Sequence, residues 1–236
     1  IQEIAPRTTQ LARPPLANAD QAVIVSSLCQ PDFQPLLTDK FLVHVERANM
    51  RPLVVLTKVD LCPLSHEAAE MIDVYRAIGY VVIQTSAIQQ QGIEALRESL
   101  GNHISILAGQ SGAGKTSLLN ALCPDLELVT GEVSEKLGRG RHTTRHVEMI
   151  ELPSGGLVAD TPGFSQLSFS GWTTEELGAC FPEMAIVADQ CKFRGCLHDQ
   201  EPHCAVKAAV QSQDISAMRY EHYVKFLKEI QDERRY

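Results

Sequence analysis

Short apolar runs of strand length recur from Ala22 onward, separated by stretches in which apolar positions return every third or fourth residue. The runs predict strands over 22–26, 53–56, 80–84, 104–108, 147–152 and 157–159. Helices are expected over 36–48, with Leu37, Phe41, Val45 and Ala48 on one face, and over 66–78, where Ser65 is placed to cap the start and Gly79 to end it. Two more are expected over 93–100 and from Lys115 onward. Strands alternating with helices predict an α/β fold with a doubly wound, mostly parallel sheet. Ahead of it, Ile1 to Ile4 alternates like the end of a strand, and Pro6, Pro14 and Pro15 then break regular structure. After Phe164 the pattern changes. Thr173 to Glu176 reads as a capping box, and 191–204 is rich in Cys and His. The chain ends in an amphipathic helix with Ile215, Met218, Tyr223, Phe226, Leu227 and Ile230 inward and Glu221 and Lys225 outward.

Composition narrows the class. The 236 residues are 44% hydrophobic and 21% charged, which suits a globular chain of one or two domains. A net charge of −8 argues against a globally basic nucleic-acid binder but leaves room for a local basic patch. No apolar run approaches the ~18 residues of a membrane span, so no membrane partner is expected. Seven cysteines without a regular pairing pattern predict reduced thiols and a cytoplasmic location. Cys29, Cys62, Cys123 and Cys180 are scattered and are expected to act as small core hydrophobes. Because the chain starts at Ile1 rather than Met, an upstream segment is expected.

Gly109-Gln110-Ser111-Gly112-Ala113-Gly114-Lys115-Thr116 fits G-x-x-x-x-G-K-[ST] and lies between an expected strand and an expected helix, the context this motif needs. Its glycines let backbone N–H groups turn towards phosphates, and the helix N-terminus adds its positive end. Lys115 is expected to reach the β/γ-phosphates and Thr116 to ligate Mg²⁺, with Ser117 completing the contact segment.

Thr57-Lys58-Val59-Asp60 ends another strand and names the base. A carboxylate at Asp60 accepts from guanine N1–H and the 2-amino group, neither of which adenine offers. The usual motif has Asn where this chain has Thr57, which predicts a weaker contact to loop and base. Ser86 and Ala87 end the next strand as a base-contacting S-A motif does. Asp160-Thr161-Pro162-Gly163 fits D-x-x-G, with Asp160 on Mg²⁺ and the Gly163 N–H on the γ-phosphate. Thr143 and Thr144 lie where a switch threonine belongs. The usual order starts with the phosphate loop. Here the base-reading motifs precede it, so the domain reads as circularly permuted, and D-x-x-G leads directly into the C-terminal segment.

Cys191, Cys196, His198 and Cys204 form C-x4-C-x-H-x5-C, three thiolates and an imidazole that suit one structural Zn²⁺. His203 is a second candidate for the imidazole.

With these residues in hand, the chain resembles the RsgA (YjeQ) family of circularly permuted GTPases. The match runs from Arg13-Pro14-Pro15-Leu16-Ala17-Asn18-Ala19-Asp20-Gln21 through the permuted motifs and Gly140-Arg141-His142-Thr143-Thr144 to Cys204. The resemblance implies a tail of an OB-fold and linker over 1–15, a permuted GTPase domain over 16–168 and a zinc-binding, mostly helical domain over 169–236. It implies a GTPase acting late in 30S subunit maturation, with 16S rRNA and GTP/GDP as partners, and a monomer is expected. Phe164 stands near where Ras-like enzymes carry a water-orienting Gln, and a phenyl ring orients no water. His142 is the in-chain catalytic candidate, with Lys115 and Thr144. Lys136, Arg139, Arg141 and Arg145 make a basic stretch without an intervening acid, read as an rRNA-facing switch. A permuted GTPase of the large subunit, a small-molecule kinase or ATPase, and a non-catalytic zinc-containing RNA-binding module are the alternatives.

Overall fold

A computed structural model describes residues 9–11, 16–124, 148–160 and 167–233. Two short strands, β1 (Gln10–Leu11) and β2 (Leu16–Ala17), pair antiparallel ahead of the main sheet. The alternating pattern from Ala22 then becomes β3 (Gln21–Ser27), α1 (Pro35–Arg47), β4 (Arg51–Thr57), α2 (His66–Ile78), β5 (Val81–Gln84), α3 (Ile93–Leu100), β6 (Ile104–Ala108) and α4 (Lys115–Leu122). Beyond residue 147 follow β7 (Glu148–Glu151) and β8 (Leu157–Asp160). The sheet order is β5-β4-β3-β6-β8-β7, parallel throughout except for the edge pair β7–β8.

Period-two alternation within buried strands builds two apolar layers. Ala22 and Ile24 of β3 pack with Phe41 and Val45 of α1 and with Met71, Ile72 and Tyr75 of α2. Val23 and Val25 face the other way, onto Leu96 and Leu100 of α3 and Leu118 and Leu119 of α4. Right-handed crossovers explain the division. The chain steps outward from β3 to β5, returns to the far side of β3 at β6, and its helices change face with the change of direction. The carboxyl ends of β3 and β6 therefore diverge, which opens a crevice at the reversal point.

Local signals set the element ends. The Ser65 side chain accepts from the Ala68 N–H, and Gly79 ends α2 at φ 103°, a left-handed turn that glycine adopts without strain. Pro35 occupies the first turn of α1 because its missing N–H is not needed there.

The C-terminal part holds α5 (Thr174–Ala179), α6 (Pro182–Ala188), α7 (Ala205–Gln211) and α8 (Ala217–Glu233) around Phe169, Trp172, Phe181, Tyr223 and Phe226. The capping box is formed in full, with Thr173 and Glu176 bonding each other's backbone N–H. On α8 the expected apolar face is joined by two polar residues, Arg219 and His222, both buried. Arg219 Nη1 donates to Asp39 Oδ1 at 2.7 Å and Nε to Glu183 Oε1 at 2.7 Å, while His222 Nδ1 lies 2.5 Å from Asp39 Oδ2. Burial alone would lower the Arg219 pKa. The carboxylates of Asp39 and Glu183 outweigh it and hold the guanidinium charged. Asp39 belongs to α1, so this cluster ties the sheet domain to the C-terminal helices.

Candidate functional site

The phosphate loop leaves β6 at Gly109, whose φ is 141°. A Cβ there would meet the Val25 carbonyl oxygen at 2.2 Å, so only glycine lets the loop run this close to β3. Gly112 and Gly114 are left-handed at φ 76° and 92°, and Gly114 caps α4 directly before Lys115. Lys115 Nζ donates to the carbonyls of Gly109 at 2.8 Å and Gln110 at 2.9 Å, which holds the ammonium over the loop. Thr116 and Ser117 are half-buried in the first turn of α4, and Ser111 and Gly112 are exposed while Ala113 is buried. This cradle fits a phosphate chain: backbone donors, a helix N-terminus and an ammonium converge on it.

The base-reading motif lies against that loop. Thr57 closes β4, and its Oγ1 donates to the Ala113 carbonyl at 2.6 Å. The single hydroxyl thus makes one contact to the loop. Lys58, left-handed at φ 60°, spans two loops, with Nζ donating to the Gly112 carbonyl at 2.9 Å and to that of Gln30. The Val59 N–H donates to the Thr85 carbonyl at 3.3 Å, which joins this turn to the one that follows β5. There the Ser86 Oγ accepts from the Gln89 N–H at 3.0 Å, and Ala87 and Asp60 are half-buried. Asp160 pairs in the backbone with Leu107 at the end of β6, so the D-x-x-G motif begins beside the phosphate loop. His142, Thr143, Thr144, Gly163, Phe164 and the basic stretch from Lys136 to Arg145 lie outside the described residues.

A second centre lies in the C-terminal part. Cys191, Cys196, His198 and Cys204 each offer a ligand atom, all within 4.8 Å of one another. Cys191 Sγ is 3.9 Å from Cys204 Sγ, and His198 Nδ1 is 3.3 Å from Cys204 Sγ and 3.6 Å from Cys191 Sγ. A tetrahedral ion with Zn–S bonds of about 2.3 Å separates its sulfurs by roughly 3.8 Å, so the donors fit Zn²⁺. The cluster takes His198, while His203 is exposed. Burial pushes the Cys196 thiol up to about 12, and the neighbouring thiols Cys204 and Cys191 add to this. Converging thiols resist ionisation by themselves, and a dication reverses that preference. Burial also lowers the His198 pKa, favouring the neutral imidazole a metal needs. Outside the ligands, the Ala205 N–H donates to Cys191 Sγ at 3.3 Å, and the Tyr220 and Tyr223 hydroxyls brace the His198 and Leu197 carbonyls at 2.7 and 2.6 Å.

Two of the four scattered cysteines depart from the sequence reading. Cys123 and Cys180 are buried as expected, but Cys29 and Cys62 are half-buried and joined in a disulfide. They follow neighbouring strand ends, Ser27 and Thr57, which are register partners in the β3–β4 pair. That adjacency was the one available signal, and it needs the strand order to be read. The Asp39–Arg219–His222 cluster was likewise missed, since polar residues on a helix ordinarily face water.

A parallel sheet with a phosphate loop at its reversal point, a guanine-reading turn beside it and base motifs ahead of the phosphate loop defines a circularly permuted P-loop GTPase. A sequence model of the RsgA GTPase family matches residues 4–170. The chain belongs to that family. It is 50% identical over 237 residues to the small ribosomal subunit biogenesis GTPase RsgA of Shouchella clausii, covering 100% of this chain and 80% of that one. To the protein of the same name from Halalkalibacterium halodurans it is 52% identical over 234 residues, covering 98% and 79%. Among solved structures it is similar to YloQ, described as a circularly permuted GTPase, at a TM-score of 0.81 and 44% identity, over 98% of this chain and 75% of that one. YjeQ from Thermotoga maritima gives a TM-score of 0.85 at 36% identity, over 97% and 77%.

Proposed function

We infer that the chain hydrolyses GTP to GDP and serves the maturation of the small (30S) ribosomal subunit in the cytoplasm, with 16S rRNA as its docking surface. The observation that carries the GTPase reading is the contact of the Thr57–Asp60 turn with the phosphate loop, through Thr57 Oγ1 to Ala113 and Lys58 Nζ to Gly112. The subunit assignment rests on the family and on relatives named for small-subunit biogenesis. Among the described residues no helix is long and apolar enough to cross a membrane.

Each part of the site takes one task. Gly109 to Ser117 hold the phosphates through backbone N–H groups, and Lys115 balances their charge. Asp60 is assigned to the guanine edge, the Lys58 stem to the face of the base, and Ser86 and Ala87 to a further base contact. Thr116 and Asp160 offer the hard oxygen donors that suit Mg²⁺, which when bound neutralises charge on the β- and γ-phosphates. Thr144 and the Gly163 N–H are assigned to the γ-phosphate, and His142 to orienting the attacking water, since Phe164 has no group for it. Cys191, Cys196, His198 and Cys204 hold a structural Zn²⁺ that staples the C-terminal domain. We assign 16–168 to the GTPase domain, 169–236 to the zinc domain and 1–15 to the tail of a preceding OB-fold. The apolar cluster of the C-terminal helices around Phe181, Tyr223 and Phe226 supports the boundary between the first two, and Val43 of α1 joins that cluster across it.

His142→Ala tests the catalytic assignment. The variant should cosediment with 30S subunits in the presence of a non-hydrolysable GTP analogue as the unaltered chain does, while subunit-stimulated turnover falls roughly 10²-fold. Turnover within about twofold of the unaltered chain, at equal cosedimentation, would remove His142 from catalysis. Absence of cosedimentation for both would contradict the small-subunit assignment.

A further inference from the structure

We propose that Cys29 and Cys62 form a reversible thiol–disulfide site at the guanine end of the nucleotide crevice, and that the bond tightens the grip on guanine nucleotide. The inference rests on the guanine-site reading above and adds a modification to it.

The pair is set apart from the other cysteines. Cys123 and Cys180 are buried, and burial pushes the Cys180 thiol up to about 12. Cys191, Cys196 and Cys204 belong to the metal cluster. Cys29 and Cys62 are half-buried, with Cα atoms 6.5 Å apart, inside the range that a disulfide spans. Both residues are thus partly open to solvent, and the backbone needs no rearrangement to bring them together.

What the bond encloses gives it a consequence. Strands β3 and β4 are already in register up to Ser27 and Thr57. Beyond those partners the ring that the disulfide closes together with the strand pairing runs only through 28–29 and 58–62, so Lys58 and Asp60 lie inside it. The ring is braced on the inside: the Leu28 N–H donates to the Thr57 carbonyl at 3.2 Å, and Lys58 Nζ reaches the carbonyl of Gln30, next to Cys29. On the other side Leu61 and Leu64 are exposed, so little packing holds the turn after Asp60. Opening the bond leaves that turn held by hydrogen bonds alone and gives Asp60 more conformations to lose when guanine binds.

The chemistry balances with a low-molecular-weight disulfide, RSSR, as oxidant. One cysteine thiolate attacks a sulfur of RSSR, forming a mixed disulfide and releasing RS⁻. The second cysteine thiolate attacks the protein-bound sulfur, closes the Cys29–Cys62 bond and releases a second RS⁻. Both cysteine protons pass to the released thiolates. The protein loses two electrons, and one RSSR becomes two RSH.

The test compares the zinc-loaded chain poised in reduced and in oxidised glutathione buffers. Fluorescently labelled GDP is the probe, and a chromophoric chelator confirms that zinc stays bound. The oxidised chain should bind GDP about fivefold or more tightly, within the usual range of site coupling. By reciprocity, saturating GDP should then make the Cys29–Cys62 midpoint more negative by about 20 mV, read by alkylation and mass spectrometry. The Cys29→Ser, Cys62→Ser double variant should match the reduced chain in both buffers. GDP affinity that is equal in the two states, or a pair that stays reduced in the oxidised buffer, would overturn this inference alone. Loss of GDP binding in both states would overturn the guanine-site reading and this inference with it.

Discussion

We assign the choice of base to Asp60, and its neighbours position the turn that carries it. Thr57 and Lys58 spend their polar atoms on the phosphate loop and the loop after β3, which fixes the turn on which Asp60 stands. Asp60→Asn replaces an acceptor of two guanine donors with an amide that presents one of them a donor. Guanine over adenine discrimination should fall by as much as ~10⁴-fold, measured by GDP and ADP titration. Unchanged GDP affinity would remove the guanine assignment. The meeting of the 109–116 loop with the Thr57–Asp60 turn was legible from residue type and spacing, because phosphates and guanine demand Gly, Lys and Asp at set intervals. The Cys29–Cys62 pair was not, since its partners are 33 residues apart and meet only once the β3–β4 register exists. Arg219 was illegible for a related reason: its partners Asp39 and Glu183 come from two other helices.

At the scale of elements, strands and helices followed the apolar period closely, and β6 and α3 begin and end where the pattern predicts. The expected strand over 80–84 starts at Val81 instead, because Tyr80 turns inward and its hydroxyl donates to Glu46 at 2.9 Å. The zinc loop has almost no regular structure of its own, and left-handed Gly195, His198 and His203 fold it back on itself. The Glu201 carboxylate, which accepts from the Leu197 and Asp199 N–H groups, and the tyrosines of α8 help to order it, and a bound metal would add to this. One tightly bound Zn²⁺ per chain is expected from elemental analysis of freshly purified protein, and Cys191→Ser should lose it and unfold the C-terminal helices at lower temperature. A metal-free chain with unchanged melting would contradict a structural zinc.

Across the whole molecule, two routes lead from the crevice to the C-terminal domain. The permuted order makes D-x-x-G the last motif before that domain. Helix α1 provides the other: it leaves the loop after β3 and meets the C-terminal helices along its length. Asp39 is held by Arg219 and His222, Lys40 lies 2.5 Å from Glu229, and Arg47 pairs with Glu176 at 3.2 Å and stacks 4.3 Å from the Trp172 ring. Removing one partner of the buried Asp39–Arg219–His222 group leaves a charge unpaired, which typically costs about 3–5 kcal/mol, while the partly exposed Lys40–Glu229 and Arg47–Glu176 pairs add little, so the buried group is what makes the two parts move as one. A nucleotide-dependent shift of α1 at the crevice would then carry the C-terminal helices with it, and with them the surface offered to the ribosome. The most direct measurement is GTP turnover by the chain with purified 30S subunits, with 50S subunits, and alone. Alone, turnover should be slow, on the order of 10⁻³ s⁻¹ or less, as for GTPases without an assisting group. It should rise strongly with 30S subunits and stay at the basal rate with 50S. Equal turnover in all three conditions, or stimulation by 50S alone, would contradict a GTPase switched on by the small subunit.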